Sequence, residues 1–207
     1  MKLKLCGIRR IEDVEMLNSA RPDYAGFVFW PRSKRYVDPD SAHILSISLN
    51  EEIKTVGVFV NEAVAEAARI ADVARLSVIQ LHGDEDEEYI RALRREFGGE
   101  IWKAAGVQSA DDVRRACELS ADMLLFDAFS PDLRGGTGKR LDLSHIKEAA
   151  PERPYFLAGG ITALNVRSIL SEINPYGLDV SSGFETNGVK DRQKLMEFME
   201  QIVNERM

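Results

Sequence analysis

Short apolar runs alternate with segments of helical periodicity along all 207 residues, and this alternation constrains the fold more than any other feature. Runs rich in β-branched and aromatic residues predict eight strands, at residues 2–6, 24–29, 54–59, 78–81, 100–104, 123–127, 155–158 and 177–180. Apolar residues recur at helical spacing in the segments 11–20, 63–71, 87–97, 110–120, 164–173 and 192–203. We expect a helix after each strand.

Regular strand–helix alternation implies right-handed crossovers and a parallel sheet. Eight such units without an interrupting segment predict a closed (βα)8 barrel, and no linker-like stretch divides residues 1–207, so we expect one domain. The alternative is an open, doubly wound sheet, which predicts a glycine-rich dinucleotide fingerprint after the first strand. Cys6-Gly7-Ile8-Arg9 offers one glycine there, and no such fingerprint occurs elsewhere, so the barrel is favoured.

The composition restricts the partners and the compartment. Acidic residues outnumber basic ones by 34 to 27, giving a net charge of −7, and no basic run occurs, which argues against nucleic acid. Cys6 and Cys117 are the only cysteines and lack metal-ligand spacing, and we interpret Cys117 as a core residue in the middle of a helix. The sequence lacks a signal peptide and a span of about 20 apolar residues, so we expect a cytoplasmic protein without a membrane partner.

Two glycine-containing breaks follow the last two predicted strands. One contains Gly159 and Gly160, and the other contains Ser181, Ser182 and Gly183. Small residues let backbone amides approach a ligand closely, and in (βα)8 barrels the loops after strands 7 and 8 hold phosphate. The sequence therefore predicts a small phosphorylated ligand.

Reactive side chains are expected where the strands of a barrel end. Asp127 ends strand 6 and alternates inwards with Leu125, so it is a candidate general acid or, alternatively, a cap for the following glycine loop at 134–140. Cys6 ends strand 1 and is a candidate general base, or alternatively a small buried apolar residue. An acid and a base on these two strands could act on opposite sides of one substrate.

Charged residues near the same strand ends extend the candidate site. Lys4 points inwards beside Cys6, and because strand 8 neighbours strand 1 in a closed barrel, Asp179 is its expected ion-pair partner and a candidate substrate contact. The basic cluster that contains Arg35 is either a solvated loop or a binding site for a substrate carboxylate. His82, after strand 4, is either a hydrogen-bonded loop residue or a substrate contact.

Taken together, the motifs resemble the phosphoribosylanthranilate isomerase family over nearly the whole chain. The resembling segments are KLCGI at 4–8, GFVFWPRSKRYV at 26–37, VGVFVN at 56–61, QLHGDE at 80–85, LLFDAF at 124–129, GGTGK at 135–139, LAGGI at 157–161 and DVSSGFETNGVKD at 179–191. This resemblance implies a single (βα)8 barrel without metal or cofactor that catalyses an Amadori rearrangement in tryptophan biosynthesis.

The resemblance also implies roles for individual residues. Asp127 would protonate the furanose ring oxygen of N-(5-phosphoribosyl)anthranilate, and Cys6 would remove the C2 proton of the resulting Schiff base. Arg35 would hold the anthranilate carboxylate. The phosphate would be bound by the backbone amides of Gly159, Gly160, Ser181, Ser182 and Gly183. The Schiff base is itself the electron sink, which explains why such chemistry requires no metal.

Arg9, Leu143 and Phe184 depart from the usual family pattern, which bears on loop packing and on affinity and not on the reaction. Two alternatives to the isomerase are a sister sugar-phosphate barrel and a non-catalytic barrel that keeps the phosphate site. The second would predict loss of Cys6 or Asp127, and both are present. The sequence leaves the oligomeric state open, with a monomer favoured, and it leaves open whether the loop at 130–140 closes over substrate.

Overall fold

The computed structural model describes residues 1–128 and 142–206, so the predicted glycine loop at 130–140 and its closure lie outside the described residues. The main strands are β1 (Lys2–Cys6), β2 (Tyr24–Val28), β3 (Lys54–Phe59), β4 (Val78–Leu81), β5 (Glu100–Val107), β6 (Met123–Ala128), β7 (Tyr155–Leu157) and β8 (Gly177–Val180). The helices are α1 (Ile11–Ala20), α2 (Pro39–Ile47), α3 (Val64–Val73), α4 (Glu87–Glu96), α5 (Ala110–Cys117), α6 (Leu143–Ala149), α7 (Val166–Leu170) and α8 (Arg192–Arg206). A short antiparallel hairpin, β9 (Glu185–Thr186) and β10 (Val189–Lys190), lies between β8 and α8.

The eight main strands form a closed barrel. Each pairs in parallel with the next along the chain, and β1 closes the barrel on β8. The predicted (βα)8, or TIM, barrel is therefore confirmed, and the open sheet is excluded. All eight strands finish at the same rim, which we call the carboxyl end of the barrel, and the opposite rim is the amino end.

Burial on both faces explains why the strands could be predicted from apolar runs. The bounds of β1, β3, β4 and β8 coincide with the predicted ones, because these strands are mostly buried and rich in apolar residues. β5 continues to Val107, three residues beyond its predicted end, since Gly106 and Val107 still pair with Asp127 and Ala128 of β6.

Two helices that the alternation requires, α2 and α6, had no predicted bounds. Asp38 caps α2 by accepting a hydrogen bond from the Ser41 amide at 2.9 Å, and Pro39 occupies the first turn. Asp142 caps α6 through the Ser144 amide at 3.0 Å. Leu143, one of the departures from the family pattern, is the first residue of α6 and is buried.

Two other helices are shorter than predicted by more than one residue. α7 begins only at Val166, and Leu164, inside the predicted helix, is 98% exposed. α5 ends at Cys117, which is partly buried against the core. The prediction that Cys117 lies in the middle of its helix was wrong, because the helix ends where Glu118 and Leu119 turn back to Arg115 and Ala116.

Aromatic side chains fill the interior towards the amino end. Tyr24 opens β2, and its ring lies 4.8 Å from Trp102 and 5.7 Å from Phe156, edge to face in both cases. Trp102 and Phe156 stack at 4.8 Å. These fully or nearly fully buried rings fill the interior towards the amino end, and the open space lies at the carboxyl end.

Candidate active site

A cavity lies at the carboxyl end, lined by residues in or just after every main strand except β5. Of the residues predicted from sequence, all except Gly183 line it: Cys6, Arg35, His82, Asp127, Gly159, Gly160, Asp179, Ser181 and Ser182. Apolar contributions come from Val28, Trp30 and Val58. The strand ends thus bring the candidate groups around one space that could hold a small ligand.

Cys6 lies at the end of β1 and is 8% exposed. A side chain on Gly26 of the neighbouring β2 would place its Cβ 2.7 Å from the sulfur, so a glycine is required there to make room for Cys6. Burial raises the pKa of the Cys6 thiol, and the positive charges of Lys4 and Lys190 oppose this only in part. The thiol is therefore the predominant form of Cys6 at neutral pH in the ligand-free protein.

The predicted ion pair between Lys4 and Asp179 is confirmed. The two residues are directly paired across β1 and β8, and Lys4 Nζ donates to Asp179 Oδ2 at 2.9 Å. Burial alone would lower the pKa of the fully buried Lys4, but Asp179 and Cys6 together outweigh it and raise the pKa. Among the described residues, Asp179 Oδ1 is buried and has no hydrogen-bond partner, and Asp179 as a residue lines the cavity.

Asp127 and His82 are neighbours in the lining of the cavity. His82 Nε2 is 3.5 Å from Asp127 Oδ2, and Gln80 Nε2 lies 3.2 Å from His82 Nδ1. The Gln80 side chain therefore contacts one ring nitrogen of His82 while the other ring nitrogen lies towards Asp127. His82 is thus held in the orientation in which it faces the carboxylate.

Gln80 is a cavity residue that the sequence reasoning missed. It is 1% exposed on β4, and its Oε1 accepts no hydrogen bond from the described part of the chain. Its alternation with Val78 and His82 along β4 was the available signal, since residues two apart on a strand share a face.

Arg35 is buried, whereas the neighbouring Arg32 and Lys34 are exposed, so the basic cluster divides into one buried and two solvated side chains. Arg35 Nε and Nη2 donate to the two carboxylate oxygens of Glu185 at 2.7 and 2.8 Å. Burial would lower the pKa of Arg35, but this ion pair raises it. Glu185, on β9, is a partner that the sequence reasoning did not anticipate.

Lys190, on β10, was also missed. It is almost fully buried, donates to Glu185 Oε1 at 2.8 Å and to the backbone carbonyl of Cys6 at 2.5 Å. Burial lowers the pKa of Lys190 to about 8, and the paired cations of Lys190 and Arg35 hold the pKa of Glu185 at about 2 although burial would raise it. The hairpin therefore contacts both the candidate base and the candidate carboxylate-binding arginine.

Two departures from the family pattern lie beside this hairpin. Arg9 donates to the carbonyls of Lys34 and Gly188, at 2.8 and 3.0 Å, and so joins the loop after β2 to the tip of the hairpin. Phe184 is fully buried, with Lys190 Nζ 4.2 Å from its ring centroid. Both residues support loop packing and leave the cavity groups in place.

The glycine positions differ in what the backbone requires of them. Gly159 and Gly160 have φ values of 92° and 63°, which favour glycine, and neither amide donates a hydrogen bond within the described chain. Gly183 lies outside the cavity lining, and a Cβ there would come within 2.0 Å of the Ile161 carbonyl. Packing against the loop after β7 thus explains Gly183 without a ligand, whereas the amides of Gly159 and Gly160 are available to one.

Two further properties of the described residues bear on the type of site. Outside the segment 129–141, no three His, Cys, Asp or Glu side chains are grouped so as to hold a metal ion. None of the described helices combines the length and the apolar character needed to cross a membrane.

Comparisons with known proteins agree with this geometry. Residues 3–201 match the family model of N-(5'-phosphoribosyl)anthranilate (PRA) isomerase. A relative from Lachnoclostridium phytofermentans named N-(5'-phosphoribosyl)anthranilate isomerase is 42% identical over 96% of both chains.

Solved structures align along almost the whole chain. One, of monomers of the dimeric phosphoribosylanthranilate isomerase from Thermotoga maritima, has a TM-score of 0.87 and 34% identity over 99% of both chains. Another, a phosphoribosylanthranilate isomerase in complex with reduced 1-(o-carboxyphenylamino)-1-deoxyribulose 5-phosphate, has a TM-score of 0.85 and 33% identity over 99% of both chains.

Proposed function

The chain belongs to the N-(5'-phosphoribosyl)anthranilate isomerase family, and on that premise we propose that Asp127 and Cys6 are the general acid and the general base of its reaction. The protein is an isomerase of tryptophan biosynthesis. It converts N-(5-phosphoribosyl)anthranilate into 1-(2-carboxyphenylamino)-1-deoxyribulose 5-phosphate by an Amadori rearrangement. The observation that carries the assignment of the two residues is that both line one cavity, from strands β1 and β6.

Asp127 acts first in the proposed mechanism. It protonates the ring oxygen of the ribose while the anilino nitrogen donates its lone pair to C1, so that the C1–O bond breaks and a cationic Schiff base forms. His82, 3.5 Å from Asp127, is placed to orient the carboxyl group towards the substrate. A positioned general acid of this kind accelerates a step by roughly 10² to 10⁴-fold.

Cys6 acts second. Its thiolate removes the C2 proton, the C–H electron pair forms the C1–C2 double bond, and the Schiff-base electrons return to nitrogen to give an enolamine. Burial raises the pKa of the Cys6 thiol, so the thiolate must be favoured by nearby positive charge. Lys4 supplies such a charge in the free protein, and the Schiff-base cation adds a second one during the reaction.

The final tautomerisation restores both groups. C1 takes a proton from the Cys6 thiol, and the enol hydroxyl at C2 gives its proton to Asp127, which leaves a ketone and the starting protonation states. Since the Schiff base accepts the electron pair, no step of this mechanism passes through a metal or an organic cofactor.

Other cavity residues are proposed to bind the substrate. The phosphate would be held by backbone amides at Gly159 and Gly160 and by the segment Ser181, Ser182 and Gly183, and the unused donors of Gly159 and Gly160 support this. Arg35 would hold the anthranilate carboxylate. Asp179 and His82 would contact hydroxyl groups of the ribose, since both residues line the cavity.

We propose a cytoplasmic location and a monomer for this chain. Both cysteines are free, which fits a reducing compartment. The dimeric Thermotoga maritima relative provides the alternative to a monomer, and the sedimentation coefficient in analytical ultracentrifugation distinguishes the two.

The assignment is tested by following the loss of phosphoribosylanthranilate fluorescence with wild type, Cys6→Ser and Asp127→Asn. We expect rapid loss with wild type and near-complete inactivity of both variants, with unchanged binding of phosphate-containing ligands. Substantial turnover by Cys6→Ser would require another base, and an inactive wild type would contradict the isomerase activity itself.

A further inference from the structure

The ion pair between Arg35 and Glu185 determines which part of the guanidinium a ligand could reach. Arg35 Nε donates to Oε1 at 2.7 Å and Nη2 donates to Oε2 at 2.8 Å, which is the side-on bidentate geometry. Both side chains are almost completely buried, so the guanidinium has little freedom to rotate. Glu185 therefore fixes the plane and the direction of the Arg35 head group.

A guanidinium has five N–H groups in one plane, and this pairing uses two of them. The described hydrogen bonds of Arg35 leave the two Nη1 hydrogens and the second Nη2 hydrogen, and one hydrogen from each of these nitrogens forms the end-on edge. This edge can bind another carboxylate through two parallel hydrogen bonds while the side-on edge keeps Glu185. Because Arg35 lines the cavity that contains Cys6, a substrate carboxylate can be the second partner.

The charge balance around Glu185 keeps this position attractive to an anion. Glu185 Oε1 also accepts from Lys190 Nζ at 2.8 Å, so two cations share one carboxylate and the group has a net positive charge. Lys190 in turn donates to the Cys6 carbonyl and to the Ser181 carbonyl, the latter at 3.1 Å. The same hairpin thus supports the carboxylate-binding group and the backbone of the proposed base.

Gly7 has no side chain and therefore leaves room for the side chain of Arg35. Its φ is 85°, and a Cβ there would lie 2.5 Å from Arg35 Cδ. The aliphatic part of Arg35 therefore passes directly over the residue that follows Cys6. This close approach brings the guanidinium to the base side of the cavity.

We propose that Glu185 is the positioning residue through which Arg35 selects a substrate with a carboxylate on its aromatic amine. Glu185 holds the side-on edge of Arg35, and the end-on edge binds the ortho carboxylate. This inference rests on the proposed role of Arg35 and deepens it. Glu185 touches no substrate atom, and it acts by orienting the guanidinium.

The test compares two ligands that differ only in the carboxylate. The first is reduced 1-(o-carboxyphenylamino)-1-deoxyribulose 5-phosphate, and the second is its phenylamino counterpart without the carboxyl group. Isothermal titration calorimetry measures both Kd values for wild type, Arg35→Met, Glu185→Gln and Glu66→Gln. Glu66 is a matched control, because it forms the same bidentate pair with Arg69 at 2.7 and 2.8 Å on an exposed helix surface.

We expect Glu185→Gln and Arg35→Met to weaken binding of the carboxylated ligand by about tenfold or more, as loss of a charge-assisted contact implies. Both variants should bind the ligand without a carboxylate within about twofold of wild type, and Glu66→Gln should match wild type for both ligands. In turnover assays, the loss in Glu185→Gln should appear mainly in KM, because the proton-transferring groups are unchanged.

Several results would overturn the proposal. Equal weakening of both ligands by Glu185→Gln would indicate a purely structural role, and tighter binding of the carboxylated ligand would show that Glu185 competes with the substrate. If Arg35→Met binds the carboxylated ligand as tightly as wild type does, the proposed role of Arg35 fails as well, whereas an inactive wild type would contradict the isomerase activity.

Glu185→Asp provides a second variant if Glu185→Gln does not fold. It keeps the charge that neutralises Arg35 and Lys190 but shortens the reach by one methylene. Weaker binding of the carboxylated ligand alone would support the proposal, and wild-type affinity for both ligands would contradict it.

Discussion

The two ends of the barrel are built from opposite kinds of residue. Towards the amino end, the interior is closed by the stacked rings of Trp102 and Phe156 with Tyr24 against their edges. At the carboxyl end, buried charges form the pairs Lys4–Asp179 and Arg35–Glu185. Apolar packing gains free energy by leaving water, whereas buried ion pairs contribute little net stability because desolvation opposes their attraction.

This difference indicates that the two ends of the barrel contribute differently to stability and activity. The amino end is expected to determine stability, and the carboxyl end is expected to determine activity. Substitution of a single charged residue at the carboxyl end is also expected to lower stability. Removal of one partner from a buried pair leaves an uncompensated charge, so some substitutions at the carboxyl end will affect both properties. The expected effects of substitution follow this distinction, from the largest to the smallest.

The substitution at Asp127 is expected to give the largest loss of activity with only a small change in stability. Asp127→Asn should lower kcat/KM by about 10³-fold, because the amide cannot donate the proton, while Tm changes by only a few degrees. Turnover and thermal unfolding measured on the same preparation check this. Asp72→Asn, a change of the same chemistry on the exposed surface of α3, is the control and should leave both values unchanged.

A substitution at Lys4 should affect both properties, because this residue lies beside Cys6 and is fully buried. Lys4→Met should lower the unfolding free energy by about 3 kcal/mol, since the Asp179 charge loses its partner, and should reduce activity as the Cys6 thiolate loses a nearby cation. Denaturant unfolding and turnover measure the two effects.

The double variant Lys4→Met with Asp179→Leu separates these causes. It removes both charges and should recover most of the stability without the activity. If Lys4→Met is as stable and as active as wild type, the pair has neither role.

Acid sensitivity should arise at the carboxyl end. The pKa of Glu185 is lowered from 4.5 to about 2, so its ionised form stabilises the fold above pH 4.5, and this contribution is lost as the pH falls from about 4.5 to about 2. Wild type should exceed Glu185→Gln in unfolding free energy by on the order of 2 kcal/mol at neutral pH, with the difference disappearing across that window.

Urea unfolding at a series of pH values measures this difference. The exposed Glu66→Gln variant should differ little from wild type at every pH. A difference between wild type and Glu185→Gln that does not change with pH would contradict the assignment of the acid sensitivity to Glu185.

The smallest effect is expected at the amino end. Phe156→Leu should lower the unfolding free energy by roughly 1 to 2 kcal/mol, because it removes ring contacts without burying a polar group. The kcat of the folded protein should stay the same, since Phe156 does not line the cavity. A selective loss of kcat in this variant would show that the two ends are not independent.

The sequence predicted the parts of this arrangement that depend on local pattern. Strand alternation and closure of β8 on β1 were enough to place Lys4 beside Asp179 and to bring Cys6 and Asp127 to one end. The caps of α2 and α6 also carried a local signal, an aspartate immediately before the first turn, which would have been enough to mark where these two helices begin.

The contacts of the hairpin could not be predicted in the same way. Arg35 and Glu185 are 150 residues apart, and neither periodicity nor spacing indicates that they meet. A buried carboxylate on a two-residue strand is indistinguishable in sequence from an exposed loop residue. For the same reason, the role of Lys190 beneath Cys6 became visible only when the barrel had brought β1 and β10 together.

The most direct test of the central claim, that Asp127 opens the ring and Cys6 removes the C2 proton, is a kinetic isotope effect. Substrate deuterated at C2 of the ribose is converted in single-turnover experiments by Cys6→Ser and by Asp127→Asn. We predict a large primary isotope effect in Cys6→Ser, where C–H cleavage is slow, and an effect near one in Asp127→Asn, where ring opening is slow. The reverse pattern, or equal effects in both variants, would contradict the claim.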